Sequence, residues 1–151
     1  MKIRWIEVPL ALAVAIVQMT VARGQTDAAA ITVYKSAGCG CCGKWIEHMR
    51  SNGFEVKSTD VEDVTSIKTA NGVPADAASC HSALVGGYVL EGHVPADSVK
   101  RLLREKPKVA GLAVPGMPVG SPGMEMPSGR VEHYDVVSFA RNGPTAVFDR
   151  R

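Results

Sequence analysis

The chain is short of three things: charge of one sign, aromatic side chains, and apolar runs long enough to span a membrane. Each scarcity removes a class of function. There are 17 Lys and Arg against 15 Asp and Glu, with only three Phe, three Tyr and two Trp. Such a composition has no basic footprint for nucleic acid, and no nucleic-acid partner is expected. The longest apolar run, Val8 to Val21, is broken only by Gln18 and Thr20 and falls short of the ~20 residues of a spanning helix. No internal repeat divides the sequence. A length of 151 residues with 46% hydrophobic content argues for one globular domain. The C-x₂-C … C-x₂-C spacing of a zinc ribbon is absent as well, although the chain has four cysteines.

The apolar run has a position that explains it. Lys2 and Arg4 precede it, and Ala22-Arg23-Gly24 offers small residues after it. This is the layout of a secretory signal peptide over residues 1–24, cut near Gly24–Gln25, with Glu7 as its one blemish and an uncleaved anchor as the alternative. Removing it takes away Lys2, Arg4, Arg23 and Glu7, which leaves 14 basic and 14 acidic residues. The mature chain is then neutral, with no stable membrane insertion expected. Residues 25–30 read as a linker and 31–151 as the folded domain. Four cysteines in an exported chain would ordinarily form two disulfides, but their spacing argues otherwise.

Three of the four fall within four residues, in Ile31-Thr32-Val33-Tyr34-Lys35-Ser36-Ala37-Gly38-Cys39-Gly40-Cys41-Cys42-Gly43-Lys44-Trp45-Ile46. This stretch reads as a strand, a glycine-rich turn and the start of a helix. The helix runs from Cys42 to Arg50, with Trp45, Ile46 and Met49 on its apolar face and Lys44, Glu47 and His48 on a solvated one. Asn52-Gly53 stops it. Phe54 to Lys57 alternates as a second strand, and Asp60 to Ala70 makes a second helix with Val64 and Ile67 inward. Ser82 to Val85, Gly86-Gly87 and Tyr88 to Leu90 form a tight hairpin. Pro95 opens a third helix on Val99, Leu102 and Leu103, and Pro107 ends it. The order βαβαββα is that of a thioredoxin-like α/β fold. Val109 to Gly129, with five Gly, four Pro and three Met, reads as a long loop without regular structure. Val131 to Phe139 and Thr145 to Phe148, turned at Asn142-Gly143, add a C-terminal hairpin.

Cys39 and Cys42 form a C-x-x-C at a strand-to-helix turn, a position where a helix N-terminus favours a thiolate and so suits thiol–disulfide exchange. Cys41 between them offers a competing partner to such a couple, but three thiolates converging from one loop suit a soft metal. Cys80 precedes the hairpin strand and is expected to face the trio, with His81 beside it. Thiolate and imidazole together favour Cu(I) or zinc. Met117, Met124 and Met126 tilt the balance to copper, because thioethers bind Cu(I) and are poor zinc ligands. His93 follows the hairpin within reach of the same place. His133 is expected to be structural or exposed. Adjacent Cys41 and Cys42 make two structural disulfides a poor solution.

Several separated motifs then agree in order: Val33-Tyr34-Lys35-Ser36 with Cys39-Gly40-Cys41-Cys42-Gly43-Lys44-Trp45, Gly72-Val73-Pro74, Ser79-Cys80-His81, Gly87-Tyr88-Val89-Leu90-Glu91-Gly92-His93-Val94-Pro95, and the Gly111–Pro118 and Gly120–Glu125 stretches. Together they resemble the CopG-like periplasmic copper-resistance proteins over nearly all of the mature chain. The resemblance implies a thioredoxin-like fold, copper held as a sulfur-bridged multinuclear cluster, and a role in interconverting Cu(I) and Cu(II). By position it carries the ligand role first to Cys39, Cys41, Cys42 and Cys80, and second to His81, His93, Met117, Met124 and Met126. Other periplasmic copper-handling proteins are the expected partners. Unlike ordinary thioredoxins, the chain has no Pro directly before the hairpin strand: Pro74 lies earlier and Cys80-His81 hold the place. Three readings follow, in order: a copper-binding protein, a thiol–disulfide oxidoreductase, and a zinc-stabilised structural module.

Overall fold

The structure is a computed structural model that describes residues 29–151. The signal peptide expected over residues 1–24 and most of the expected linker lie outside the described residues. The described residues form a mixed α/β fold, with three α-helices against a seven-stranded sheet of order β2-β1-β3-β4-β5-β6-β7.

Strand β1 (Ala30–Lys35) alternates, burying Ile31 and Val33. Helix α1 (Gly40–Ser51) follows after a four-residue turn. Its buried residues Cys42, Trp45, Ile46 and Met49 recur at three- and four-residue intervals, so they form one stripe. Asn52-Gly53 ends the helix, with Gly53 at φ +87. Strand β2 (Glu55–Asp60) lies parallel to β1 at the sheet edge. Asp63 caps α2 (Val64–Ala70) by accepting the amides of Thr65 and Ser66. Strands β3 (Ser82–Val85) and β4 (Tyr88–Glu91) form a hairpin through Gly86 and Gly87, both at positive φ. Helix α3 (Ala96–Glu105) then buries Val99 and Leu102.

Trp45, Met49, Leu90, Leu102 and Leu112 share the larger apolar cluster. Ala77, Val89, Ala113 and Phe139 form a second one. Val89 and Leu90 are consecutive on β4, so the two clusters occupy opposite faces of the sheet.

Four expectations are corrected. The segment from Val109 to Gly129 is not all irregular: Gly111–Ala113 is a strand, β5, parallel to β4 and antiparallel to β6. A three-residue strand in a Gly/Pro-rich stretch has too short a period to declare itself; its place comes from the sheet on either side. The last hairpin is shifted, with β6 at Asp135–Phe139 and β7 at Thr145–Arg150. The second helix begins at Val64, because Asp60 still pairs with Lys35 in β2. The first begins at Gly40, so Cys41 and Cys42 lie inside its first turn.

The topology decides what meets what. Strand β3 runs antiparallel to both neighbours, with Tyr34 opposite Ser82 and Ser82 opposite Glu91. The end of β1, the start of β3 and the end of β4 therefore share one rim of the sheet. The cysteine turn leaves β1 there, Cys80-His81 enter β3 there, and Gly92-His93 leave β4 there.

Candidate metal centre

Two stretches of chain place four sulfurs at that rim. The ligand atoms of Cys39, Cys41, Cys42 and Cys80 all lie within 4.8 Å of one another. The turn is held by the Cys39 amide donating to the Ser36 carbonyl at 3.1 Å. Cys42 is fully buried and its Sγ is 3.7 Å from that of Cys80; the sulfurs of Cys39 and Cys41 are 3.6 Å apart. Cys39 and Cys42 are joined as a disulfide with a Cα–Cα distance of 5.3 Å, and Cys41 and Cys80 are free thiols. The expectation of four uncombined thiolates is corrected to this extent. The C-x-x-C pair reaches disulfide distance across one helical turn, and the sulfur of the cysteine between them stays beside it as a free thiol.

Two histidines complete the group. Cys80 Sγ is 3.2 Å from His81 Nδ1 and 3.1 Å from His93 Nε2. Both imidazoles are buried. The Nδ1 of His93 lies 2.7 Å from the Pro122 carbonyl, an acceptor, so Nδ1 carries the proton and Nε2 turns a lone pair to the sulfur. The His81 ring packs 4.5 Å from that of Trp45, and its Nε2 is buried without a partner among the described residues. Cys80 thus belongs to two sets of converging ligand atoms, one all-sulfur and one of two nitrogens and a sulfur.

Electrostatics keep these groups neutral until something positive arrives. Burial, together with the charge on Cys41, pushes the Cys80 thiol up to about 11. Burial lowers His81 to about 3, with His93 and Lys68 adding to the effect. His93 is also lowered by burial, partly offset by its bond to Pro122 and by Glu125. A neutral thiol and two neutral imidazoles form a donor set that a soft or borderline cation stabilises.

The remaining sequence candidates fall at different distances from this set. Met124 and Met126, with Cys41, Lys44 and Glu125, line a groove of about 360 Å3 beside the cysteine turn. Met117 is exposed and does not line it. His133 is exposed, as expected. His48 is not the solvated residue that its helical face suggested. It is half-buried, and its Nε2 accepts the Ala96 amide at 3.1 Å, at the start of α3. One turn earlier on α1, Trp45 Nε1 donates to the Val94 carbonyl at 2.9 Å. Helix α1 therefore carries Cys41 and Cys42 at one end and, along its length, fixes the segment that bears His93.

Sequence reasoning missed Glu91. Its carboxylate is fully buried and accepts from Lys68, Ser82 and the Ser79 amide. The signal was present in Tyr88–Glu91, where alternation puts Glu91 on the same inward face as Val89.

Comparison with known proteins adds the following. Residues 77–124 match a family described as a protein of unknown function, DUF411. No curated protein matches the sequence. A solved structure described as copper resistance protein CopG, form 2, shares 43% identity with a TM-score of 0.78; the match covers 83% of this chain and 99% of that one. Form 1 of the same description shares 45% identity with a TM-score of 0.75, over 81% and 96% of the two chains.

Proposed function

The chain belongs to the CopG copper-resistance family, and from that premise we propose that it is a periplasmic copper-binding protein that holds Cu(I) through Cys39, Cys41, Cys42 and Cys80. One observation carries the reading: four sulfurs from positions 38 residues apart in sequence converge within 4.8 Å at one rim of the sheet. Once the Cys39–Cys42 disulfide is reduced, four thiolates gathered this closely can bridge more than one Cu(I), which supports a multinuclear cluster. His81 and His93 are the nitrogen ligands of the same site, and the Pro122 carbonyl orients the second of them. The β2-β1-β3-β4 part of the sheet with α1, α2 and α3 supports the thioredoxin-like reading, and the remaining strands extend it. Export by residues 1–24 completes the proposal.

The Cys39–Cys42 disulfide gives the site an electron balance. Two Cu(II) become two Cu(I) as two thiols become the disulfide and release two protons; the reverse step reoxidises the metal. The groove with Met124 and Met126 beside Cys41 is where Cu(I) passes to another periplasmic copper-handling protein, since thioethers exchange Cu(I) readily. Zinc is the weaker candidate, because these thioethers would serve no purpose for it.

Titration of the reduced protein with Cu(I) against a competing chelator tests the proposal. Cys41→Ala is expected to weaken binding by at least about tenfold, because it removes a thiolate ligand and its charge. If Cys41→Ala leaves copper affinity intact, while Cys39→Ala abolishes reduction of an added protein disulfide, the site is an exchange centre instead.

A further inference from the structure

The least economical feature of the rim is a buried charge on the far side of the hairpin from α1. Glu91 is fully buried at the end of β4, and Lys68 of α2, 13% exposed, reaches it at 2.5 Å. A buried ion pair is weak as a source of stability, because removing both charges from water offsets most of their attraction, and apolar side chains of like volume serve as well. Its geometry points to another role. Glu91 lies directly opposite Ser82 in the β3–β4 register. One carboxylate oxygen accepts the Ser79 amide at 2.6 Å, and the other accepts the Ser82 hydroxyl at 2.6 Å. The two donors flank Cys80-His81 on either side, and the Lys68 ammonium also donates to Ser82 Oγ at 3.2 Å. The backbone is tied as well, with the Gly92 amide donating to the His81 carbonyl at 2.9 Å.

We infer that Glu91, held by Lys68, is a positioning residue: its carboxylate straddles the Cys80-His81 pair and fixes the later thiol in register with the cysteine turn. The inference rests on the copper reading above for its purpose, but the clamp itself is a statement about Cys80. The chain leaves the short Ala75–Ala77 helical turn just before Ser79 and enters β3 at Ser82. Four residues, 78–81, make that passage, and Cys80 is the third of them. Without an acceptor for the Ser79 amide, the passage keeps only the Ser79 hydroxyl on the Gly116 carbonyl, the Gly116 amide on the Ala78 carbonyl and the Gly92–His81 bond, and Cys80 is held less firmly against Cys42. Glutamine keeps one acceptor, its carbonyl oxygen, for the Ser79 amide and offers an N–H to Ser82 Oγ in place of the second acceptor; alanine keeps neither.

The test uses the full reduced chain and two readouts, one without metal. Alkylation of Cys80 by iodoacetamide, followed by peptide mass spectrometry with Cys41 as internal reference, reports how well Cys80 is held. Glu91→Ala should raise the Cys80 rate about fivefold relative to Cys41, because a thiol freed from its packing becomes accessible. It should also weaken Cu(I) binding by roughly tenfold or more, as loss of a residue that orients a ligand does. Glu91→Gln should stay within about threefold of the unaltered chain in both, since its carbonyl oxygen still accepts the Ser79 amide and its N–H meets Ser82 Oγ. If Glu91→Ala fails to fold, Ser82→Ala carries the test, with a Cys80 rate raised about twofold for the loss of one of the two flanking bonds. An unchanged Cys80 rate in a folded variant overturns the inference, and so does Glu91→Gln matching Glu91→Ala. Failure of the unaltered chain to bind Cu(I), with the alkylation pattern as expected, would sink the copper reading and leave the clamp standing.

Discussion

At neutral pH the Cys80 thiol holds its proton, since burial and the Cys41 charge push it to about 11. A metal that takes this sulfur as thiolate has to displace that proton. Binding therefore strengthens as pH rises, by up to about tenfold per unit for this one proton, throughout the range below 11. Cu(I) affinity measured between neutral and mildly alkaline pH should show that slope, and Cys80→Ser should make it shallower by one proton. An identical slope in Cys80→Ser would mean that the thiol is not a ligand. His93 behaves differently: its lone pair is already free, because its proton is committed to the Pro122 carbonyl. That distinction depends on one carbonyl 29 residues away, so His93 was visible in the sequence as a candidate, while its tautomer was not.

Among the elements, the loop after β5 shows how a segment without regular structure can still be tightly placed. Gly123 has φ +89, and a Cβ there would sit 2.8 Å from both the Cys41 carbonyl and the Trp45 amide. Backbone meets backbone at this point, so neither neighbour has a flexible end to move aside. Gly123→Ala is expected to cost at least about 1 kcal/mol from the left-handed conformation alone, with the clash in addition. Its Tm should fall by roughly 4 °C per kcal/mol in differential scanning calorimetry of the metal-free protein. A melting temperature equal to that of the unaltered chain would show that the loop does not press on α1. The Pro122 carbonyl immediately before this glycine orients His93, so the same substitution disturbs the site as well as the fold. The glycine and proline content announced a loop here. It did not announce that the loop is pinned to the first turn of α1, because contacts between segments 80 residues apart leave no local pattern.

For the molecule as a whole, three histidines held neutral make metal-free stability sensitive to acid. Burial lowers His48, His81 and His93 below their ordinary 6.5. The unfolded chain takes up these protons near pH 6.5 and the fold does not, so the stability they contribute is present above that pH and is lost as pH falls. For His81 the loss runs down to about pH 3, at about 1.4 kcal/mol per unit. Denaturant midpoints of the reduced, metal-free protein should fall from pH 6.5 to 4.5, and more gently for His81→Phe. Equal slopes would show that this imidazole is not held neutral. The three groups belong to one structure: His48 fixes the start of α3, His93 sits just before it, and His81 packs under Trp45.

By itself the sequence determined the local elements and the kind of chemistry. Periodicity marked the Trp45–Met49 stripe and Gly86-Gly87 marked the hairpin, because helical faces and tight turns are set by residues a few positions apart. Three cysteines in four residues marked a sulfur site, and its softness follows from composition alone. The tertiary structure decided the meeting of Cys80 with the trio, the disulfide between Cys39 and Cys42, the half-buried role of His48, the strand at Gly111–Ala113 and the Glu91 clamp. The meeting of Cys80 with the trio and the Glu91 clamp depend on antiparallel β3 bringing the ends of three strands to one rim, and strand order across a sheet is fixed by long-range packing rather than by any neighbour in the chain.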